Sequence, residues 1–501
     1  MSLSRRNFLE SAAAAAGSVV TASAASKKDR PNIILLLGDD HRWDALSCMG
    51  NRAINTPHLD QLSAQGITFH NHFCTTAICC VSRASIFLGQ YAGTHHIEDF
   101  KTPLNPEQVG NMYSSVLRRA GYHTGFIGKF GVGGTRGPYL DYLDPSKQGY
   151  RTEYDATMPA FSFDYWEGFP GQGFYFPNGP QGEHLTYIMR DQAIEFIEDA
   201  PRDKPFCLSI SFKSPHVQDE DPRQYLPPRD TLKLYKESKM PAFGAPQEDI
   251  SRFPLPLQRS ESRHRWAVRF STPELYQKSI KGYYRLINSN DNALGSIRQA
   301  LKRLGLADNT IIVYSADHGI FLAEHGLAGK WYMHEESIRM PLIIHDPRNS
   351  KLRGGQRTAM TLNIDLAPTI LALAGLPIPV SYQGRNLHPL FDKDQPDWRA
   401  LWYYEHHFVD RGWIPSSEGI RTRNWKYIRY TDVAAPYQEL YNEKTDRHEV
   451  NNLVKNSEYA KQREVLSHYR DVWKHSLETW KAKTPWVDPI GKNNLTSDGI
   501  T

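Results

Sequence analysis

TIIVYSADH, residues 310–318, is a continuous apolar run that ends in two groups able to hold a metal or move a proton. A run without polar alternation suits a strand covered on both faces. Just upstream, Leu294, Ile297, Leu301 and Leu304 recur at helical spacing, and Gly305 supplies a C-terminal stop. Helix, short turn and buried strand in succession form the repeating unit of an α/β fold. Three further runs have the same form: NIILLLGDD (32–40), TGFIGK (124–129) and FCLSISFKSPH (206–216). Ligands of open α/β sheets bind beyond the carboxyl ends of the strands. Asp39, Asp40, Lys129, His216, Asp317 and His318 all fall at that end, so the topology predicts one crevice that receives them.

Outward from these strands, the rest of the chain is ordinary for a soluble globular protein of more than one domain, with 501 residues, 40% hydrophobic and 23% charged. A net charge of +4 without a long Lys/Arg run gives no nucleic-acid groove. Residues 219–265 are Pro-rich and charged and predict long surface loops at the crevice mouth. From about residue 393, RALWYYEHHF and EGIRTRNWKYIRYTD read as strands with alternating polar residues, and SEYAKQREVLSHYRDVWKHSLETW reads as an amphipathic helix. The expected architecture is therefore a mostly parallel α/β sheet flanked by helices over 28–392, followed by a smaller α+β domain with an antiparallel sheet over 393–501.

The first 27 residues read as an export signal of the twin-arginine type: Arg5 and Arg6, then Phe8 and Leu9, then an Ala-rich stretch too short to span a bilayer. This implies the twin-arginine machinery as a partner, a periplasmic or extracellular location, and no stable membrane span in the mature protein. Cys48, Cys74, Cys79, Cys80 and Cys207 are odd in number and form no C-x-x-C, which argues against a disulfide framework and a zinc ribbon.

Asp39, Asp40 and Asp317 would make a hard, oxygen-rich site suited to Ca²⁺ or Mg²⁺. CCVSRASIFLGQY (79–91) reads as a turn entering a helix, with Ser82 or its neighbour as the cap. Backbone N–H groups at a helix start favour an anion, and Arg83, Lys129 and Lys330 would add charge-assisted bonds to a tetrahedral oxyanion, sulfate or phosphate. The assembled site has a divalent cation, several positive side chains and a cysteine at its floor.

On these motifs the sequence resembles the formylglycine-dependent sulfatases of the alkaline phosphatase superfamily, among them exported bacterial carbohydrate sulfatases. Their signature is Cys or Ser, any residue, Pro or Ala, Ser, Arg, opening a helix; here it falls on Cys79, Cys80, Val81, Ser82 and Arg83. The resemblance extends, in family order, through LLLGDDHRWD, GYHTGFIGK, SFKSPH, GLADNTIIVYSADHG, LAEHGLAGKWYMHEESIRMPLII, DLAPTILALAG and NWKYIRY. It implies an alkaline phosphatase-like fold and a sulfuric ester hydrolase acting on O-sulfate of a polysaccharide or oligosaccharide. Cys79 would be oxidised to Cα-formylglycine by a maturation enzyme, and its hydrated aldehyde would be the nucleophile. Asp39, Asp40, Asp317 and His318, with the modified Cys79, would hold the metal, Ca²⁺ ahead of Mg²⁺. Arg83 would orient the modified residue, Lys129 and Lys330 would bind sulfate oxygens, and His216 would protonate the departing alcohol.

Two positions depart from the family pattern. Where the family has Gly-Lys-Trp-His, this chain has Gly128, Lys129, Phe130 and Gly131, so the histidine is absent and His96 or His123 is the candidate replacement. Val81 stands where Pro or Ala is usual, next to the maturation motif. His96, Glu405, His406 and Arg421 are further candidates for contacting sugar. The competing activities are a phosphodiesterase or phosphonate monoester hydrolase of the same superfamily, and an exported glycan-binding pseudoenzyme.

Overall fold

Apolar runs that bury both faces build the centre of the molecule. The computed structural model describes residues 30–133, 158–242, 250–394, 398–408, 414–433, 437–491, 494–495 and 500; the export-type segment lies outside them. Eight strands make the main path of a central nine-stranded sheet: β1 (Asn32–Gly38), β2 (Ile67–Phe73), β3 (His123–Lys129), β4 (Tyr165–Phe169), β5 (Phe206–Ser211), β6 (Thr310–Ala316), β7 (Ile343–His345) and β8 (Gly355–Leu362), in the spatial order β8-β2-β7-β6-β1-β5-β3-β4. The remaining strand is the two-residue Arg339–Met340, antiparallel to β2. β1 pairs in parallel with β5 and β6, and β3 with β4 and β5; β7 is antiparallel to both its neighbours. The four runs read from the sequence are thus the four adjacent parallel strands β6-β1-β5-β3, and every residue of β1, β5 and β6 is buried.

Helices cover both faces. Those of eight residues or more are α1 (Pro57–Gln65), α2 (Cys79–Leu88), α3 (Leu185–Asp199), α4 (Glu261–Phe270), α5 (Pro273–Arg303), α6 (Leu366–Leu373) and α7 (Ala460–Thr479). One apolar layer joins β1, β5 and β6 to α1, α3 and the end of α5 through Ile34, Leu36, Leu59, Phe196, Leu294 and Leu301; the opposite layer packs Leu35, Ile86, Leu117 and Ile370. The stop at Gly305 is observed, with Leu304 capping α5 and Gly305 in the left-handed region at φ +68°. The 219–265 stretch is less irregular than expected, because Leu255–Gln258 is one helical turn and α4 begins at Glu261. Their short apolar faces, such as Leu257 and Phe270, were too brief to register as periodicity.

At the C-terminal end, β9 (Leu401–His406), β10 (Ser417–Thr422), β11 (Trp425–Tyr430) and β12 (Tyr437–Asn442) form an antiparallel four-stranded meander, with α7 packed on it. The alternation in these strands did not produce a solvent-facing side, since all residues of β9 and β10 are buried. The polar positions instead face other parts of the protein. Phe73, Ile78, Cys80, Trp402, Tyr404 and Trp473 belong to one apolar cluster, so this sheet and the start of α2 share a core. Among the described residues no helix is long and apolar enough to cross a membrane.

Candidate active site

The carboxyl ends of β1, β3, β5 and β6 meet the N-terminus of α2, as strand polarity requires. α2 begins at Cys79 after an extended Ile78 at φ −151°, and ends at Gly89 in the left-handed region at φ +62°. No side chain caps its N-terminus. Ser82, expected at the cap, lies instead one turn inside, where its hydroxyl donates to the backbone carbonyl of Asp317 and accepts from Asn363 Nδ2 at 2.9 Å. That bond ties α2 to the end of β6. All ten residues of α2 are buried, so the two cysteines differ by direction rather than by exposure. A turn of about 100° per residue puts Cys80 into the apolar cluster beneath the C-terminal sheet and turns Cys79 toward the polar crevice. All five cysteines are free thiols.

Cys79 Sγ lies 3.5 Å from Asp39 Oδ1, 3.3 Å from His318 Nε2 and 3.2 Å from Lys330 Nζ. Lys330 also reaches Asp40 Oδ1 at 2.7 Å. Lys129 pairs with Asp39 Oδ2 and donates to Gln172 Oε1 at 2.6 Å. Arg83, fully buried, holds Asp317 at 2.9 Å and Asp39 at 3.3 Å, and donates to the Lys129 carbonyl at 2.7 Å. The structure therefore brings together Asp39, Asp40, Cys79, Arg83, Lys129, Asp317, His318 and Lys330, with His216 at the edge, its Nε2 3.6 Å from Asp40 Oδ2.

Three carboxylates face three permanent cations out of water, and the charges set one another. Burial pushes the Asp39 carboxyl up, but the Lys129, Arg83 and Lys330 charges outweigh it and hold the group well below the usual carboxylate range. His318 would lose its proton by burial, yet the Asp317 charge raises it to about 9. Burial and the neighbouring Lys330 keep His216 well below the ordinary histidine range, so it rests neutral. Its Nδ1 lies 2.6 Å from the Val217 carbonyl, which requires the proton on Nδ1 and turns Nε2 to the crevice.

Donor atoms of Asp39, Asp40, Cys79 and His318 all lie within 4.8 Å of one another, a buried set that fits a divalent cation. The carboxylate of Asp317 stands beside them, accepting from the backbone N–H groups of Asp40 at 3.2 Å and His318 at 2.9 Å. A second acidic group, Glu335, Glu443 and Glu449, does not fit an ion in the same way, because the Lys426 ammonium already sits among the three, 3.0 Å from Glu335 and 3.5 Å from Glu443.

Above the cluster opens a cavity of about 430 Å³ lined by Gln172, His216, Asp219, Glu261, His264, Arg265, Lys330 and Trp331 with Ile78, Phe100, Phe408 and Ile414. Sequence reading placed the 219–265 segment at the crevice mouth but singled out none of its side chains. Gln172 lies just beyond the carboxyl end of β4, a strand whose mixed residues form no continuous apolar run in the sequence. The other four sequence candidates lie elsewhere. His96 is exposed beyond the short helix Ala92–His95, Glu405 accepts from the Gly93 N–H at 2.8 Å, His406 is fully buried, and Arg421 is held by Glu335 at 3.0 Å and Glu443 at 3.3 Å. None of them lines the cavity. His123 is at the opposite end of β3, stacked on Phe196, so it cannot replace a histidine at position 131.

Residues 31–376 match the family model described as Sulfatase, and residues 323–473 match the C-terminal model of N-sulphoglucosamine sulphohydrolase. The chain is 30% identical to an N-acetylglucosamine-6-O-sulfatase of Bacteroides thetaiotaomicron over 87% of this chain and 85% of that protein. It is 27% identical to an ulvan-active sulfatase of Formosa agariphila, over 82% and 76% of the two chains. Among solved structures it is similar to one bound to its substrate D-glucosamine-2-N,6-O-disulfate, with a TM-score of 0.73 at 27% identity, covering 90% of this chain and 98% of the other. The fold is also that of a phosphonate monoester hydrolase of Agrobacterium radiobacter, with a TM-score of 0.69 over 88% and 94% of the two chains.

Proposed function

This chain belongs to the sulfatase family and is a sulfuric ester hydrolase, and on that premise we propose that it removes O-sulfate from a sulfated carbohydrate, with a 6-O-sulfated glucosamine unit as the first substrate to test. The observation that carries the reading is the position of Cys79 between Lys330, His318 and Asp39. The similarity to a glucosamine-directed relative and to a substrate-bound structure supports the sugar.

Asp39, Asp40, Asp317 and His318 would hold the cation together with the modified Cys79, Ca²⁺ being favoured by the three carboxylates of the set. Such a cation would supply neutralising charge for the sulfate and acidity for the nucleophile. Cys79, converted to Cα-formylglycine by a maturation enzyme, supplies the hydrated aldehyde as the attacking group. The protein's own residues do the rest. Arg83, immobilised by Asp317, Asp39 and the Lys129 carbonyl, fixes the floor of the site. Lys129 and Lys330 point their ammonium groups to either side of Asp39 and Asp40 and would bind sulfate oxygens there. An incoming sulfate anion offsets the repulsion that Lys330 and Lys129 exert on His216, raises its proton affinity and lets Nε2 donate to the departing sugar oxygen. Gln172, Asp219, Arg265 and Trp331 would meet the sugar from the cavity wall.

The test is sulfate release from N-acetylglucosamine 6-sulfate, measured beside an aryl sulfate and an aryl phosphodiester with the same leaving group. Faster turnover of the diester would reassign the chain to phosphodiester hydrolysis.

A further inference from the structure

Strand β9 of the C-terminal sheet reaches the loop that leads into Cys79. The Tyr404 hydroxyl donates to the Trp331 carbonyl at 2.7 Å and accepts from the Ala77 N–H at 3.3 Å. The Trp331 N–H in turn donates to the Ala77 carbonyl at 3.1 Å. Ala77 stands two residues before Cys79 and Trp331 follows Lys330, so one phenol oxygen bridges the two segments that deliver the nucleophile precursor and its lysine. On either side β9 adds Glu405 N–H to the Thr75 carbonyl at 3.2 Å and accepts the Thr76 hydroxyl on the Glu405 carbonyl at 2.7 Å. Trp331 is held at φ +87°, a left-handed conformation that a bulky residue adopts only when its surroundings impose it. Tyr404 is fully buried, and burial raises its pKa well above the usual tyrosine value, so its hydroxyl keeps the proton that the bridge needs.

We infer that Tyr404 is a positioning residue for catalysis, which sets the separation of Lys330 from residue 79 by clamping Trp331 to Ala77. The inference rests on the reading of Lys330 as a sulfate-binding group. The C-terminal sheet then has a part in the reaction without touching substrate. Tyr403, the next residue along β9, is the internal control. It is equally buried in the same strand, and its hydroxyl has no hydrogen-bond partner among the described residues, so Tyr403→Phe removes a phenol oxygen without breaking the bridge.

The experiment compares Tyr404→Phe, Tyr403→Phe, Lys330→Ala and the double variant Tyr404→Phe/Lys330→Ala on one sulfate ester, with melting temperature followed in parallel. Misplacing a reacting group by a fraction of an ångström costs roughly tenfold or more in rate, so Tyr404→Phe is expected to lose about that much kcat with KM changed less than about threefold. Tyr403→Phe should keep kcat. Two residues that act as a unit are non-additive, so in the Lys330→Ala background Tyr404→Phe should cost less than about twofold more. An intact kcat in Tyr404→Phe beside a crippled Lys330→Ala overturns this inference alone. A loss repeated in full in the Lys330→Ala background, or matched by Tyr403→Phe, overturns it as well. An intact kcat in Lys330→Ala removes Lys330 from the reaction and takes both readings with it.

Discussion

A side chain at Gly131 would collide with Arg83: a Cβ there would stand 2.7 Å from Arg83 Cδ, and Gly131 has φ +75°. The position that carries a histidine in the family pattern is therefore filled from the other side by the guanidinium stem that orients the floor of the site. Gly131→His is expected to lower kcat at least about a hundredfold by displacing Arg83, rather than to supply a missing function. Sulfate release, with circular dichroism to show a folded chain, checks it; an active Gly131→His enzyme would show that Arg83 has room to yield.

Cys79 and Cys80 should separate cleanly. Cys79→Ala is expected to abolish sulfate release to the limit of detection. Cys80→Ala should keep kcat and lose on the order of 1–2 kcal/mol of stability, because it empties part of a packed apolar cluster. Mass spectrometry of the peptide holding residues 75–83 of active enzyme should find the conversion at Cys79 and an intact thiol at Cys80. Two intact thiols in fully active protein would remove the formylglycine reading.

A chelator is expected to remove activity and lower the melting temperature together. A cation held by Asp39, Asp40 and His318 would stabilise only the folded chain, by mass action. Titrating Ca²⁺ back should restore both, at lower concentration than Mg²⁺, because a carboxylate-rich set suits the larger ion with its less demanding geometry. Activity unaffected by exhaustive chelation would count against a metal in the reaction.

Glu405 gives a stability effect that depends on pH. Burial raises its carboxyl to about 7, against 4.5 for the free group. Its folded value is above its unfolded one, so the stabilisation is fully present below about pH 4.5 and is lost as pH rises through about 7. Glu405→Gln keeps an oxygen for the Gly93 N–H and cannot ionise. At pH 8 this variant should be more stable than the parent by on the order of 2–3 kcal/mol, with the difference vanishing near pH 4.5. Denaturant melts at the two pH values measure it, and parallel curves for the two proteins would refute the assignment.

The strand runs were legible because hydrophobic continuity is local: NIILLLG, FCLSIS and TIIVYSA had to be buried on both faces wherever they paired, and strand polarity then delivered Asp39, Lys129, His216 and Asp317 to one edge. β2, β4 and β8 leave no such run in the sequence, since their faces mix polar residues such as His70, Glu167 and Gln356 that edge and near-edge positions tolerate. In the C-terminal sheet, Glu405, His406 and Arg421 read as polar positions open to solvent or sugar, Glu405 on one face and His406 and Arg421 on the other. Gly93 for Glu405, and Glu335 and Glu443 for Arg421, come from other segments of the chain and bury these positions.

By itself the sequence determined the α/β class, the spacing of Cys79 and Arg83 on one helix, and which charged groups end the strands, because each follows from periodicity within a few residues. The tertiary structure alone decided that Cys79 meets Lys330 while Cys80 meets Trp402's cluster, that Arg83 occupies the space above Gly131, and that Tyr404 joins the two loops. These depend on contacts between segments tens to hundreds of residues apart, where close packing leaves one arrangement and local pattern carries no information about it.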